Sequence, residues 1–205
     1  MSFLLVTLGL ALLTWAIVIV VRGSIFTTIA LFFVSTCVFP AEFFAIDAMG
    51  LTWTLDRLWM ICLAAQVALR GLRGEWYFTR LESTDLAIAL FLLWLIARTI
   101  TQPLGSVLPG QPPTLMHLVN GYLIPFSLYA ALRTTKLDPS QLKIPFGVLC
   151  VLGFYLGVTA ILEAAKLWGV VFPKFITDPQ LGIHFGRARG PMLQSVRLGI
   201  SVIAT

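Results

Sequence analysis

Charge is what this sequence has least of. Of its 205 residues 14 are Lys or Arg and 9 are Asp or Glu, so 11% are charged. A soluble domain carries about 25%. Hydrophobic residues make up 59%, and the mean hydropathy is +0.94. Too little polar surface exists to cover a water-soluble globule, and the composition is the reverse of an intrinsically disordered chain. Cysteine is also scarce. Cys37, Cys62 and Cys150 all lie in apolar stretches, with no CxxC and no His nearby in sequence. That excludes a disulfide-stapled secreted fold, and the three read as small packing residues. The net charge of +5 comes from basic residues scattered between apolar runs. A nucleic-acid interface wants a basic stripe with interleaved aromatics, so nucleic acid is not expected as a partner.

What is present is a series of long apolar runs, which predicts an all-α, polytopic transmembrane helical bundle. The first run, Phe3 to Val21, is uncharged. At about 1.5 Å per residue it reaches roughly 28 Å, close to the thickness of the hydrocarbon core. Met1-Ser2 lead straight into it, without the basic n-region and small-residue cleavage site of a signal peptide, so it is expected to stay as a span. The second run, Ser24 to about Phe39, follows a very short connection at Arg22-Gly23, which predicts a tight antiparallel hairpin. The third runs from about Thr54 to Leu69, the fourth from Leu86 to about Ile100, the fifth from Thr114 to Leu132 and the sixth from Ile144 to Leu162. A last run opens at Pro191 and continues to Thr205. The expectation is therefore about six full spans within residues 1–162, an extracytoplasmic loop at 163–190, and the start of a truncated seventh helix at 191–205. Fifteen residues cross a bilayer poorly, so the sequence reads as part of a longer protein.

Lys and Arg in short loops orient such a bundle. One set of loops holds Arg22, Arg70, Arg73, Arg80, Arg133, Lys136 and Lys143; the other holds Arg57 and Arg98 before the last loop. Seven against two places the first set in the cytoplasm and the 102–113 and 163–190 loops outside. The last loop then carries Lys166, Lys174, Arg187 and Arg189 against this trend, which calls for a separate reason.

Gly186-Arg187-Ala188-Arg189-Gly190-Pro191 is the most informative stretch. Pro is favoured at the first position of a helix and Gly is tolerated as the cap before it, which predicts a helix N-terminus at Gly190-Pro191, at the outer face. Backbone N–H groups and the positive dipole end there suit an anion, and two guanidinium groups add bidentate oxygen recognition. The other reading is that Arg187 and Arg189 only anchor the helix in anionic headgroups. Gln194 and Arg197 stand i, i+3 on the same helix. Arg197 would lie roughly 9 Å below its start, facing into the bundle. Glu163 is a partner for an arginine, an acceptor-orienting carboxylate or a plain helix end. His184 and His117 are either site residues or solvated loop histidines.

Arg187-x-x-Gly190, with Gln194 four residues on where an Asn is usual, resembles the R-x-x-G-x-x-x-N entry motif of the O-antigen ligase and polymerase family. The stretch from Glu163 through Phe172-Pro173 to Gly182-Ile183-His184-Phe185 is similar to the outer loop that leads into that motif. The resemblance covers about residues 144–205 by motif and the rest by hydropathy. It implies a bacterial inner-membrane transferase that moves a glycan from undecaprenyl pyrophosphate to a lipid A core or a growing glycan. Pyrophosphate-binding residues would be Arg187, Arg189 and Gly190, supported by Gln194, Arg197 and His184. Neither metal nor cofactor is expected, and Glu163 is the only catalytic candidate, because the family's large catalytic loop follows this motif. The alternative is a non-catalytic multispan protein, a transporter or a polysaccharide-assembly subunit. Transporters often show internal repeats and discontinuous midplane helices. No repeat relates residues 1–100 to 101–205, and the Pro-rich stretch 102–113 falls at an interface.

Overall fold

The computed structural model describes residues 2–39, 45–48, 51–77, 80–102, 114–136, 138–183 and 185–205. Helix dominates. In chain order the elements are α1 (Ser2–Arg22), α2 (Ile25–Val38), a hairpin of β1 (Ala45–Ala48) and β2 (Leu51–Thr54), α3 (Leu55–Leu72), α4 (Ser83–Ile100), α5 (Thr114–Leu118), α6 (Ile124–Arg133), α7 (Pro139–Ala164) and α8 (Ser195–Ala204). A π turn, Val119–Leu123, joins α5 to α6 without a break, and 3-10 turns lie at Lys174–Thr177 and Gly190–Met192. The hairpin is antiparallel, with Ala45 opposite Thr54 and Ala48 opposite Leu51. The chain divides into two compact units, residues 1–63 with 138–205 and residues 64–137.

Among the described residues three helices are long and apolar enough to cross a membrane: α4, the continuous Thr114–Arg133 helix, and α7. They correspond to the fourth, fifth and sixth apolar runs. They expose large apolar side chains, among them Leu90, Leu93 and Trp94 on α4 and Val151, Phe154 and Ile161 on α7, the surface expected of a helix facing lipid. The second run folds as a helix of 14 residues. At about 1.5 Å per residue that is roughly 21 Å, short of the hydrocarbon core. The third run is helical over 18 residues but carries Asp56, Arg57 and Arg70.

Local chemistry sets the helix ends. Ser24 caps α2, its Oγ accepting from the Phe26 N–H at 3.2 Å. Asp138 caps α7 by accepting from the Ser140 N–H at 3.0 Å, with Pro139 as the first helical residue, where a missing N–H costs nothing. The π turn has a visible cause in Pro125. An interior proline lacks a donor and its ring collides with the carbonyl four residues back. Widening the helix over 119–123, so that the Ile124 N–H reaches the Val119 carbonyl, lets the chain pass the proline without breaking.

In the first unit α2 packs on α7. Ile25, Phe26, Ile29 and Phe32 are buried on α2; Leu152, Leu156, Thr159 and Glu163 are buried on α7. The spacing on α7 is one face of a 3.6-residue helix. α8 returns along α7, close enough that a Cβ at Gly153 would lie 2.6 Å from Thr205 Oγ1. In the second unit Phe91 of α4 meets Tyr122 and Phe126 edge to face, at 5.9 and 6.3 Å between ring centroids. Beside them Asp85 accepts from the Tyr129 hydroxyl at 2.6 Å and from Arg133 Nε at 3.2 Å. Arg133 also bonds Glu82 at 2.9 Å and the Arg80 carbonyl at 3.1 Å.

Candidate functional site

α7 ends in a left-handed turn. Lys166 adopts φ 57°, its N–H bonds the Glu163 carbonyl and the Leu167 N–H bonds the Leu162 carbonyl. These paired bonds close off the last carbonyls of a helix and send the chain back on itself. The Tyr155 hydroxyl donates to the Phe172 carbonyl at 2.9 Å, tying the returning segment to the flank of α7. Val171, Pro173 and Ile176 are buried there. Lys174 Nζ donates to the Gly169 carbonyl at 2.6 Å.

The centre of the loop is a knot of charge. The Glu163 carboxylate accepts from two successive backbone amides, Arg189 N–H at 2.8 Å and Gly190 N–H at 2.6 Å. Glu163 and Arg189 are 1% and 0% exposed. The Arg189 guanidinium donates to the carbonyls of Ile176 at 2.8 Å, Leu181 at 2.5 Å and Asp178 at 3.2 Å. Phe185 covers it, with its ring centroid 4.8 Å from the guanidinium carbon, and Trp168 stacks on Phe185 at 5.4 Å between ring centroids. A buried cation is tolerated when carbonyl dipoles and an aromatic face replace its water. Each charge-assisted bond of this kind contributes about 1.5–3 kcal/mol.

Gly190 explains itself in this geometry. Its φ is +56°, and a Cβ would lie 2.8 Å from Leu198 Cδ1. The Arg-x-x-Gly pattern therefore contains one residue demanded by the backbone and one, Arg187, whose side chain is exposed.

Four sequence expectations are corrected. The helix after the loop starts at Ser195, not at Pro191. Gly190–Met192 is a single 3-10 turn, stopped by Leu193 at φ 52°, because an α-helix cannot continue through a left-handed residue. The amides of Arg189 and Gly190, expected to meet an external anion, are instead occupied by Glu163. Arg189 is enclosed by its own loop, so the two arginines part company: one is buried and one is exposed. Arg197 is the third residue of α8 and exposed, rather than sunk a turn and a half into the bundle. Gln194 is half-buried in extended backbone just before α8, its carbonyl accepting from the Leu198 N–H at 3.0 Å. The His184 expectation lies outside the described residues.

Comparison with protein-family models, with curated proteins and with solved structures finds no match. The site therefore stands on its own geometry. That geometry includes Tyr155 and Trp168, which the sequence reading did not single out, and Phe185, which it named only as part of the loop. The partners of Tyr155 and Trp168, Phe172 and Phe185, are 17 residues away in each case, and no periodic pattern marks such pairs. Among the described residues no group of three or more His, Cys, Asp or Glu is placed to hold a metal ion. Chemically, the loop holds a buried carboxylate bonded to backbone amides and a buried guanidinium bonded to backbone carbonyls, with the exposed Arg187 beside them in the chain.

Proposed function

We propose that this chain is part of an inner-membrane glycan transferase of the O-antigen ligase or polymerase type. It would move a saccharide from undecaprenyl pyrophosphate to a lipid A core or glycan acceptor, with about six lipid crossings and the 163–190 loop on the periplasmic side. The observation that carries this reading is the exposure of Arg187 two residues before a backbone locked by Glu163. A guanidinium on a fixed loop can meet a diphosphate bidentately with little ordering cost. It also stabilises the negative charge that develops on the departing pyrophosphate as the glycosidic bond breaks. Arg189, Glu163 and Gly190 are positioning residues in this scheme, and Gln194 and Arg197 follow the locked turn.

The test is binding of undecaprenyl pyrophosphate to the chain in nanodiscs, with undecaprenol as the uncharged comparison. Arg187→Ala should weaken pyrophosphate binding about 10- to 100-fold, the loss of one charge-assisted contact. Arg187→Lys keeps the charge without the fork and should fall between. Equal affinity for the two lipids, or unchanged binding in Arg187→Ala, overturns the proposal and leaves the transporter or assembly-subunit reading in its place.

A further inference from the structure

The hydrogen bond from Tyr155 to Phe172 fixes how deep the returning segment sits. The uncharged run Ile144–Leu162 of α7 is bounded by Lys143 and Glu163. At about 1.5 Å per residue it is roughly 28 Å long, which matches a hydrocarbon core of about 30 Å. Tyr155 precedes Glu163 by eight residues, so it lies about 12 Å inside that layer. Helical side chains lean toward the N-terminus, which takes the Tyr155 hydroxyl no closer to the Glu163 end. The Phe172 carbonyl, 2.9 Å from that hydroxyl, is at the same depth.

Two further observations agree with such a location. Non-helical backbone within a bilayer must have its polar groups satisfied by protein. Several carbonyls of the segment are paired within the protein: Leu167 with the Val170 N–H, Gly169 with Lys174, Phe172 with Tyr155 and Pro173 with the Ile176 N–H. Side chains of the segment also divide into two faces. Val171 and Pro173 are buried, whereas Leu167, Val170 and Phe172 are 52%, 68% and 56% exposed. An exposed apolar face on a segment with most of its carbonyls internally paired suits acyl chains better than water. The first charge after the segment, Lys174, reaches back to the carbonyls of Gly169 and, at 3.4 Å, Trp168, near the end of α7. That is how a lysine lifts its ammonium toward an interface.

We infer that residues 167–173 form a re-entrant dip into the lipid bilayer, with Leu167, Val170 and Phe172 against the acyl chains. This goes beyond the transferase reading and does not depend on it; it rests only on α7 crossing the bilayer.

The wild-type chain in phospholipid nanodiscs suffices as a test. A lipid-dissolved diazirine is photolysed to label lipid-facing residues, and hydroxyl radicals label water-facing ones. Trypsin then separates Ile144–Lys166, Leu167–Lys174 and Phe175–Arg187. The dip should take up the lipid-phase label to the same extent per residue as Ile144–Lys166, and several-fold more than Phe175–Arg187. Lipid-phase labelling of Leu167–Lys174 no higher than that of Phe175–Arg187, with Phe172 oxidised as heavily by hydroxyl radicals as Phe185, would place the segment in water and overturn the inference. Tyr155→Phe removes the tether. Hydroxyl-radical oxidation of Phe172 should then rise while Ile144–Lys166 keeps its lipid-phase label. Unchanged oxidation would show that the tether does not hold the dip.

Discussion

Glu163 and Gly190 stand 27 residues apart in sequence, yet the Glu163 carboxylate lies 2.6 Å from the Gly190 amide. The carboxylate also takes the Arg189 amide, so a charge from the end of α7 occupies the site that helix-capping logic had reserved for a ligand. Glu163→Ala leaves two buried N–H groups without a partner. At about 1–3 kcal/mol for each such group, stability should fall by roughly 2–6 kcal/mol. Hydrogen exchange at the Arg189 and Gly190 amides should accelerate. Glu163→Gln retains one acceptor oxygen and should lose less. Unchanged exchange in Glu163→Ala would mean the carboxylate is not the clamp.

Gly190→Ala forces a Cβ onto a positive φ and against Leu198. The left-handed conformation alone costs a non-glycine residue about 1–3 kcal/mol. Gly147, inside α7 with open space where a Cβ would go, is the control, and Gly147→Ala should change stability by less than about 1 kcal/mol. Unfolding in mixed micelles separates the two; equal effects would remove the special role given to Gly190.

In the second unit Asp85 gathers Tyr129 and Arg133. Asp85→Asn should lower the thermal midpoint more than Tyr129→Phe, since it loosens both partners. In the Asp85→Asn background, Tyr129→Phe should have little further effect, because residues of one network are not additive. Additive losses would show that the Tyr129 and Asp85 contributions are independent.

A single crossing by α7, which is long and apolar enough for one, would put Ser140 and Gln180 on opposite sides of the membrane. Both side chains are exposed. Cysteines placed there, in a chain whose Cys37, Cys62 and Cys150 are replaced by Ala, should react oppositely with an impermeant maleimide. The Lys/Arg count predicts that Gln180 labels from outside. Labelling of both from one side would deny that α7 crosses, and labelling of Ser140 alone from outside would invert the orientation.

The three long apolar helices were legible in the chain because a bilayer imposes one length on any crossing segment. Their ends were less so. α4 starts at Ser83 and α7 at Pro139, several residues before the apolar runs, since polar caps can be helical outside the hydrocarbon. Pro191 looked like a helix start, and only Leu193 in the left-handed region shows why the α-helix waits until Ser195.

Hydropathy and charge thus determined by themselves that the chain is dominated by apolar helix, and where three helices long and apolar enough to cross a membrane lie. They could do so because those properties depend on composition within one segment. The partners within residues 163–190 were decided by tertiary structure. Glu163 meets Arg189 and Gly190, and Tyr155 meets Phe172, through hydrogen bonds between residues far apart in the chain. A sequence lists donors and acceptors, but which of them meet depends on where α7 ends and how the chain turns back along it.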